Sequence, residues 1–328
     1  MDDLGGGHVQ LAGLRSSLDK ASEGWHSLAV SLSKLEKLRE LIRSYGSCLV
    51  AYSGGVDSVF LAQVAHEVLG ARALAVIADS PSLPRRELEE ALKLGARFGF
   101  PVRVIRTQEF DNPEYLANPD NRCYFCKQEL FTELAPLARA EGFAVIAYGE
   151  NASDIGDFRP GAQAAAEFQV RAPLKEAGLT KADIRALSAQ LGLPTADKPQ
   201  MACLSSRVPF GEAVTPEKLK MIEEAEYVLR DLGFYDVRVR HHELSSKFKV
   251  QSSKSPGTPG QPGAVNWEPG AVIHLARIEV GPAEMPRFLE NGLSVRVADA
   301  LKKIGYAHVT LDLVGYRRGS VNEGMAAG

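Results

Sequence analysis

One loop in this 328-residue chain has residue types and spacing suited to binding phosphate. It runs Ser53-Gly54-Gly55-Val56-Asp57-Ser58, between an apolar run that ends at Tyr52 and an apolar helical pattern. Paired glycines let a chain turn tightly beside a ligand, and the free amides of a helix start attract anions. Ser53 and Ser58 can donate from their hydroxyls, and Asp57 can cap the helix or hold a magnesium ion bound to phosphates.

The loop differs from the common P-loop. It lacks the lysine and the spacing of G-x-x-x-x-G-K-[ST], which disfavours transfer of a γ-phosphate. A Gly-Gly pair could also simply make a tight turn between strand and helix. The two serines, Asp57 and the flanking strand and helix together favour nucleotide binding.

Three of the four cysteines form a second candidate site. Cys123 and Cys126 make a C-x-x-C between Arg122 and Lys127 at the start of a helical pattern, where cations and the helix terminus favour thiolate. The pair could be a redox couple or half of a zinc site, but the sequence has no second C-x-x-C or H-x-x-x-H. With Cys203, three thiolates could hold a [4Fe–4S] cluster whose open iron carries an atom such as sulfide. Three unrelated thiols are the alternative.

The elements that must position these residues alternate between strand and helix. Four short apolar runs have the length of buried strands, and helical patterns separate them: residues 48–52, 73–78, 102–105 and 144–148. This alternation predicts an α/β fold with a doubly wound parallel sheet, whose ligands bind beyond the carboxyl ends of the strands. Cys48 falls inside the first run and is expected to be a small core residue.

The pattern changes after Gly211 and predicts a second, smaller α+β domain. A helix opens at Thr215-Pro216 and runs to Gly233, and strands (235–244, 272–280, 308–314) and a helix (283–304) follow. We therefore expect a nucleotide domain over 25–211 and a substrate or oligomerisation domain over 212–318. Residues 1–24 are expected to be a mobile lead-in, 252–270 a flexible Gly/Pro/Ser-rich insertion and 319–328 a tail.

Composition narrows the class of protein. The 38 basic and 41 acidic residues give a net charge of −3, which provides no general attraction for nucleic acid. The sequence shows neither a long apolar membrane segment nor a signal peptide at its start, and four cysteines are too few for a disulfide framework. We expect a cytoplasmic globular protein.

The loop resembles the PP-loop of the adenine-nucleotide α-hydrolase superfamily, whose members cleave ATP to AMP and pyrophosphate. The resemblance implies that the loop binds the pyrophosphate of ATP and that an acyl or similar group is adenylated. It also implies that Ala78, Asp79 and Gly149 line the adenosine pocket.

Three further stretches resemble the LarE family of PP-loop sulfur transferases: residues 149–161, 171–174 and 202–211. The first follows the family pattern G-x-N-x-D-D-x-x-D-Y-R-P-G, with departures at Ser153 and Phe158. Together with the loop, the resemblance covers about residues 28–316.

The resemblance implies an activity. LarE proteins convert the carboxylates of a pyridinium dicarboxylate mononucleotide to thiocarboxylates, a step toward the nickel-pincer cofactor of lactate racemase. ATP, with Mg²⁺, first makes an acyl-adenylate, which sulfur then attacks. In one version a cysteine at the Cys203 position gives up its own sulfur and becomes dehydroalanine. In the other, three cysteines hold a [4Fe–4S] cluster that carries sulfide, and the presence of Cys123 and Cys126 favours this version.

Further roles are implied in the same way. The family contacts the substrate phosphate or other anions at positions matching Lys127, Ser206, Arg207, Arg238 and Arg240. Arg238 and Arg240 would share one strand face and could bind one phosphate, although strand arginines also serve solubility. Asp154, Glu226 and Glu279 are implied as metal ligands. The partners implied are a small nucleotide substrate, further copies in a ring-like homo-oligomer such as a hexamer, and a nickel-inserting protein.

Other functions are weighed against this one. Related PP-loop enzymes thiolate tRNA, but the net charge of −3 and the absence of a dense basic stretch argue against that substrate. An amidotransferase that uses ammonia would need no trio of thiols. A non-catalytic ATP sensor would bind nucleotide at the same loop and release no pyrophosphate.

Overall fold

The structure, a computed structural model, describes residues 29–154, 160–199, 202–245 and 272–317. The chain divides into two units: the first comprises residues 1–109 and 121–201, and the second comprises residues 110–120 and 202–328. The second unit thus begins near Ala202 and includes a short earlier segment, whereas the sequence analysis placed a single boundary at Gly211. The expected lead-in, tail and most of the insertion lie outside the described residues.

The first unit contains the expected parallel sheet. Its strands are β1 (Cys48–Tyr52), β2 (Ala73–Asp79), β3 (Val102–Arg106) and β4 (Val145–Tyr148), in the order β3-β2-β1-β4. All three pairings are parallel. β1 is buried along its whole length because it is central, whereas β3 at the edge is only partly buried. The α/β fold class is confirmed.

Helices precede, connect and follow these strands. They are α1 (29–45), α2 (Val56–Leu69), α3 (Arg85–Phe98), α4 (Pro113–Leu116), α5 (Arg122–Glu141), α6 (Pro160–Glu167), α7 (Pro173–Glu176) and α8 (Lys181–Gln190). All except α4 belong to the first unit. No helix among the described residues is long and apolar enough to cross a membrane.

The sheet of the first unit is covered on both faces. Side chains of Cys48, Val50 and Tyr52 pack with α1, α2 and α3 on one face, while Leu49 and Ala51 pack with α5 and α6 on the other. Because helices cover both faces of β1, successive side chains are buried on alternate faces and the strand is apolar throughout. Cys48 is completely buried, and burial raises the pKa of its thiol to about 12, so it remains a protonated core residue.

The second unit is built on a three-stranded mixed sheet. β5 (Val237–Ser245) pairs antiparallel with β6 (Val272–Val280), which pairs parallel with β7 (His308–Leu311). α9 (Pro216–Asp231) and α10 (Leu293–Ile304) pack on it around an apolar core. Thr215 caps α9 by accepting from the Lys218 amide, as its sequence predicts.

The helix expected over 283–304 is wrong in its first half. Residues Pro282–Leu289 form 3-10 turns, and α10 begins only at Leu293. Asn291 and Gly292 between them have φ values of 49° and 65°, a left-handed conformation that no right-handed helix can pass through.

Candidate active site

The Ser53–Ser58 loop lies at the point where the strand order of the sheet reverses. β2 and β4 flank β1 on opposite sides, so the connections that leave β1 and β4 diverge around a crevice at the carboxyl edge. Ligands of open α/β sheets bind in such crevices. The loop follows β1 and Gly149 follows β4, so both reach this edge.

The loop is held by its own serines. The Ser53 amide donates to Ser58 Oγ over 3.1 Å, and the two hydroxyl oxygens also lie 3.1 Å apart. Ser58 Oγ in turn donates to the carbonyl of Gly55 over 3.1 Å. Gly55 is the N-cap of α2 and offers no side-chain cap, so the first amides of the helix point to the crevice without a side-chain acceptor.

Two glycines are required by close approach. Gly54 has a φ of +71°, and a Cβ placed on it would lie 2.9 Å from the Cβ of Ala91 in α3. A Cβ on Gly149 would lie 3.1 Å from the Ser58 nitrogen and 3.2 Å from the Asp57 Cβ. Gly149 therefore contacts the start of α2 directly, which places the end of β4 beside the Ser53–Ser58 loop.

Asp57 has a partner that the sequence analysis missed. Its Oδ2 accepts from Lys181 Nζ over 2.6 Å, while its buried Oδ1 has no hydrogen-bond partner in the structure. Burial raises the pKa of Asp57, and the charge of Lys181 opposes that shift. A carboxylate with one oxygen held and the other available suits a magnesium ligand.

A sequence signal for Lys181 did exist. Lys181 is the first residue of α8, where a cation opposes the helix dipole. A lysine at such a position suggests an acidic partner elsewhere. Thr180 and Asp183 form a capping box at the same helix start, which fixes the backbone of Lys181.

The residues after β4 brace that helix start. The Asn151 side chain is buried, and its Oδ1 accepts from the Ser153 amide over 2.9 Å. Ser153 Oγ accepts from the Lys181 amide over 3.0 Å, so a serine at this departure from the family pattern satisfies a free helix amide. Asp154 Oδ2 accepts from the Asn151 amide over 3.1 Å. Residues 155–159, with Phe158, lie outside the described part of the chain.

The residues expected around adenosine lie at the end of β2. Ala78 and Asp79 are half-buried and follow Ile77, the β2 residue that pairs with Tyr52 of β1, so they lie at the same sheet edge as the loop. Asp79 forms an ion pair with Arg85, and Arg85 also donates to the Ser80 carbonyl over 2.8 Å.

Cys123 and Cys126 occupy the first two turns of α5. Three residues apart, they share one side of the helix, and Cys123 is exposed while Cys126 is half-buried. The first turn of α5 contains no acidic residue. Lys127 packs against Gly161, on which a Cβ would lie 3.0 Å from the lysine Cγ. This thiol pair therefore lies at a positive helix terminus, as expected.

Cys203 and several basic residues of the second unit belong to one polar cluster. Cys203 precedes a 3-10 turn, Leu204–Arg207, and its carbonyl accepts from the Ser206 amide and hydroxyl over 3.0 and 2.8 Å. Arg207 Nη1 donates to the same carbonyl over 3.0 Å. The other side of the Arg207 guanidinium contacts Glu226 through Nε over 2.8 Å and Nη2 over 3.1 Å.

Arg238 and Arg240 lie on one face of β5, and both are buried. Arg240 Nε donates to Glu279 Oε2 over 3.0 Å, and its Nη1 donates to the Ser206 carbonyl over 3.0 Å. The Arg238 guanidinium stacks over the Tyr316 ring at 4.8 Å. Burial, and then the charge of Arg207, lowers the pKa of Arg238.

Glu226 and Glu279 therefore contact arginines. Their side chains are 3% and 0% exposed, and each receives at least one guanidinium within 3.0 Å. Burial works to raise the pKa of Glu226, but the charge and hydrogen bonds of Arg207 outweigh it and hold that pKa low. The metal-ligand role assigned to Asp154, Glu226 and Glu279 stays a prediction.

The chain is similar to several known proteins. An uncharacterized protein of Synechocystis sp. is 41% identical over 290 residues, which is 88% of this chain and 97% of that protein. A glutamine-hydrolyzing GMP synthase of Bacillus cereus is 26% identical over 238 residues, which is 64% of this chain and 44% of that enzyme. No family model matches the chain.

A relative with a named activity is more informative. The pyridinium-3,5-bisthiocarboxylic acid mononucleotide synthase of Lactiplantibacillus plantarum is 30% identical over 297 residues. The match spans 90% of this chain and 96% of that enzyme, so it includes both units. From this similarity along nearly its whole length, the chain belongs to the LarE family of pyridinium-3,5-bisthiocarboxylic acid mononucleotide synthases.

Proposed function

We propose that this chain is an ATP-dependent sulfur transferase of nickel-pincer cofactor biosynthesis. It would adenylate a carboxylate of pyridinium-3,5-dicarboxylate mononucleotide and convert it to a thiocarboxylate. The observation that carries the proposal is the Ser53–Ser58 loop at the strand-order reversal of a LarE family member. The relative from L. plantarum is named for a bisthiocarboxylic product, which agrees with this chemistry.

The first step needs groups that bind a departing pyrophosphate. A carboxylate oxygen attacks the α-phosphorus of ATP, pyrophosphate leaves, and the acyl-adenylate forms. The first amides of α2 and the hydroxyls of Ser53 and Ser58 are positioned to bind phosphate oxygens. Lys181 would add a positive charge, and Asp57 Oδ1 would bind the magnesium ion that accompanies ATP.

The second step needs a sulfur nucleophile. Sulfide attacks the acyl carbon, and AMP leaves with the former carboxylate oxygen, so the acid gains sulfur and loses oxygen. Cys123, Cys126 and Cys203 would hold a [4Fe–4S] cluster, because three thiolates can bind three of its four irons. Bound in this way, the cluster would leave one iron open and supply sulfide there. The location of Cys123 and Cys126 at a helix N-terminus favours the thiolate form that binds iron.

The substrate carries a phosphate, which the basic residues would bind. In the second unit, Arg207 donates to Glu226 and Arg240 donates to Glu279. The charge of Glu226 also acts on Arg238. Burial and the charge of Arg207 lower the pKa of Arg238, and an added anion would oppose both effects. Ser206 and, in the first unit, Lys127 complete the proposed set.

We further propose that the active form is a ring-like homo-oligomer, with a hexamer as the expected state. Large apolar side chains of the second unit support an interface there, since Leu289 is 91% and Leu313 is 81% exposed. Delivery of the product to a nickel-inserting protein stays a prediction.

Anaerobically prepared protein tests the proposal. With ATP and the dicarboxylate substrate, we expect AMP, pyrophosphate and thiocarboxylate in equal amounts, together with iron and sulfide in the purified protein. Pyrophosphate release without any sulfur-containing product would contradict sulfur transfer, and no release at all would favour the sensor.

Single cysteine variants separate the two sulfur sources. We expect Cys126→Ser to lose iron absorbance and turnover, while Cys48→Ala, which changes a buried thiol in β1, keeps both. If Cys126→Ser instead remains active, and the mass of the protein falls by one H₂S after a single turnover, Cys203 is the sacrificial donor.

A further inference from the structure

Two histidines and a glutamate meet on one face of the β5–β6 pair. His241 and Glu243 share a face because they are two residues apart on β5, and His274 on β6 is the direct cross-strand neighbour of Glu243. One ligand atom from each side chain can be chosen so that all three atoms lie within 4.8 Å of one another. None of these residues has a role in the proposed sulfur transfer.

The two imidazole rings are spaced as metal ligands are. His241 Nε2 lies 3.0 Å from His274 Nδ1, so the two rings share a hydrogen bond whose proton a metal ion would replace. Imidazole nitrogens bind zinc at about 2.0–2.1 Å, so two nitrogens at this separation can both reach one ion, with an angle of about 90° between the bonds. A small rotation of His274 would open that angle toward the tetrahedral value.

His241 has an oxygen partner at its other ring nitrogen. Its Nδ1 lies 3.1 Å from the Tyr306 hydroxyl, and burial raises the pKa of that hydroxyl, which therefore stays protonated. Metal-binding histidines commonly donate their second N–H to an oxygen, which directs the other nitrogen at the ion. Burial, and then the charge of His274, lowers the pKa of His241 to about 3.

Glu243 is within reach of solvent and is held by a lysine. Glu243 and His274 are half-buried, so an ion could enter from their side, whereas His241 is fully buried. Glu243 Oε2 lies 3.0 Å from Lys218 Nζ, and Lys218 also donates to the Ala213 carbonyl over 2.7 Å. Lys218 therefore neutralises the carboxylate and would compete with a bound cation for it.

We propose that His241, His274 and Glu243 form a binding site for a divalent transition metal ion of the zinc type. Two imidazoles and one carboxylate suit Zn²⁺ and neighbouring first-row ions, whereas Mg²⁺ and Ca²⁺ require mainly oxygen ligands. The bound ion would join β5 to β6 and stabilise the second unit. Because the site uses no cysteine, it does not depend on the proposed sulfur transfer.

Zinc titration of the full chain by calorimetry tests the site. Cys123, Cys126 and Cys203 are replaced by serine in the parent protein, so that thiolates do not compete for zinc. We expect one equivalent of Zn²⁺ to bind, no saturable binding of Mg²⁺, and an affinity at least about tenfold weaker in His274→Gln. His308→Gln changes an exposed histidine on β7 and should leave the affinity unchanged. A parent without saturable Zn²⁺ binding, or equal affinities of the parent and His274→Gln, would overturn the site.

A second variant should gain affinity for Zn²⁺, and damage to the fold would not produce such a gain. Lys218→Met removes the cation that competes for Glu243, so we expect it to bind Zn²⁺ more tightly than the parent. Unchanged or weaker binding in Lys218→Met would contradict the participation of Glu243 in the site.

Discussion

Asp57 and Lys181, 124 positions apart in the chain, form an ion pair with 2.6 Å between carboxylate and ammonium. The pair joins the Ser53–Ser58 loop at the start of α2 to the start of α8. Asp183, two residues along, completes the capping box of α8 and accepts from Lys34 of α1 over 2.7 Å and from Ser31 over 2.5 Å. The geometry of the loop therefore depends on helices that the sequence gives no local reason to connect with it.

The ion pair predicts that a second substitution recovers part of the stability lost through the first. Lys181→Met would leave the mostly buried Asp57 carboxylate without its cation and should cost about 1–3 kcal/mol of unfolding free energy. Asp57→Asn in the same protein should recover part of this loss, since no charge then remains unpaired. Urea unfolding of the four proteins of the cycle measures the coupling, and Lys93→Met, at an exposed position of α3, is the control. If the loss of unfolding free energy in the double variant equals the sum of the two single losses, the pairing is contradicted.

Acid should weaken the fold through Asp183. Burial alone would raise the pKa of Asp183, but hydrogen bonds from Lys34, Ser31 and Thr180 outweigh burial and hold that pKa below its usual value. A carboxylate with a lowered folded pKa stabilises the protein above its unfolded pKa, about 3.9, and this stability is lost as the pH falls.

Unfolding free energies of the native protein and Asp183→Asn measure this effect. We expect the variant to be less stable at pH 7 and the difference to shrink as the pH falls below about 4. Glu89→Gln, at an exposed site on α3, should follow the native protein at every pH. A difference that stays constant across this range would show that Asp183 does not act through its charge.

The glycine in the loop predicts a steric coupling with α3. Gly54→Ala places a side chain at a φ of +71° and a Cβ 2.9 Å from the Ala91 Cβ. The left-handed backbone costs about 1–2 kcal/mol, and the crowding adds about 1–3 kcal/mol. Gly55→Ala should cost less, because its Cβ would lie 3.5 Å from Ser53 Oγ in ordinary contact.

A second substitution isolates the crowding. Ala91→Gly should be much less harmful in Gly54→Ala than in the native protein, since it removes the atom that the new side chain meets. Thermal unfolding of the single and double variants checks this. Equal effects of Ala91→Gly in both backgrounds would assign the whole cost to the backbone.

The buried pair of Arg207 and Glu226 predicts a large loss and a recovery. Both side chains are 3% exposed, so Arg207→Met would leave a buried carboxylate unpaired at a cost of about 3–5 kcal/mol. Arg207→Met with Glu226→Met should be clearly more stable than the single variant, as measured by urea unfolding. If the single and double variants are equally unstable, Glu226 is not the group that Arg207 neutralises.

The double variant also separates structure from substrate binding. If Arg207 contacts the substrate phosphate, the recovered protein should still show a raised KM for the nucleotide substrate. A native KM would limit Arg207 to a structural role.

The sequence by itself determined the elements that depend on local pattern. Apolar runs of strand length, helical spacing and glycines at turns predicted the four parallel strands and the loop between β1 and α2, because these features act over a few neighbouring residues. The same local reasoning failed at Asn291 and Gly292, where two residues adopt left-handed backbone within an apolar pattern that looks helical.

Only the tertiary structure decided which polar and charged side chains meet. Lys181 reaches Asp57, Arg207 and Arg240 are buried against Glu226 and Glu279, and His241 meets His274, all across separations for which the sequence offers no periodic signal. The reason is physical: a charged side chain in isolation is most stable in water, and its burial becomes favourable only when folding brings a partner within bonding distance. Residue type and spacing therefore indicated where phosphate and sulfur chemistry could occur, while packing determined how the surrounding charges are neutralised.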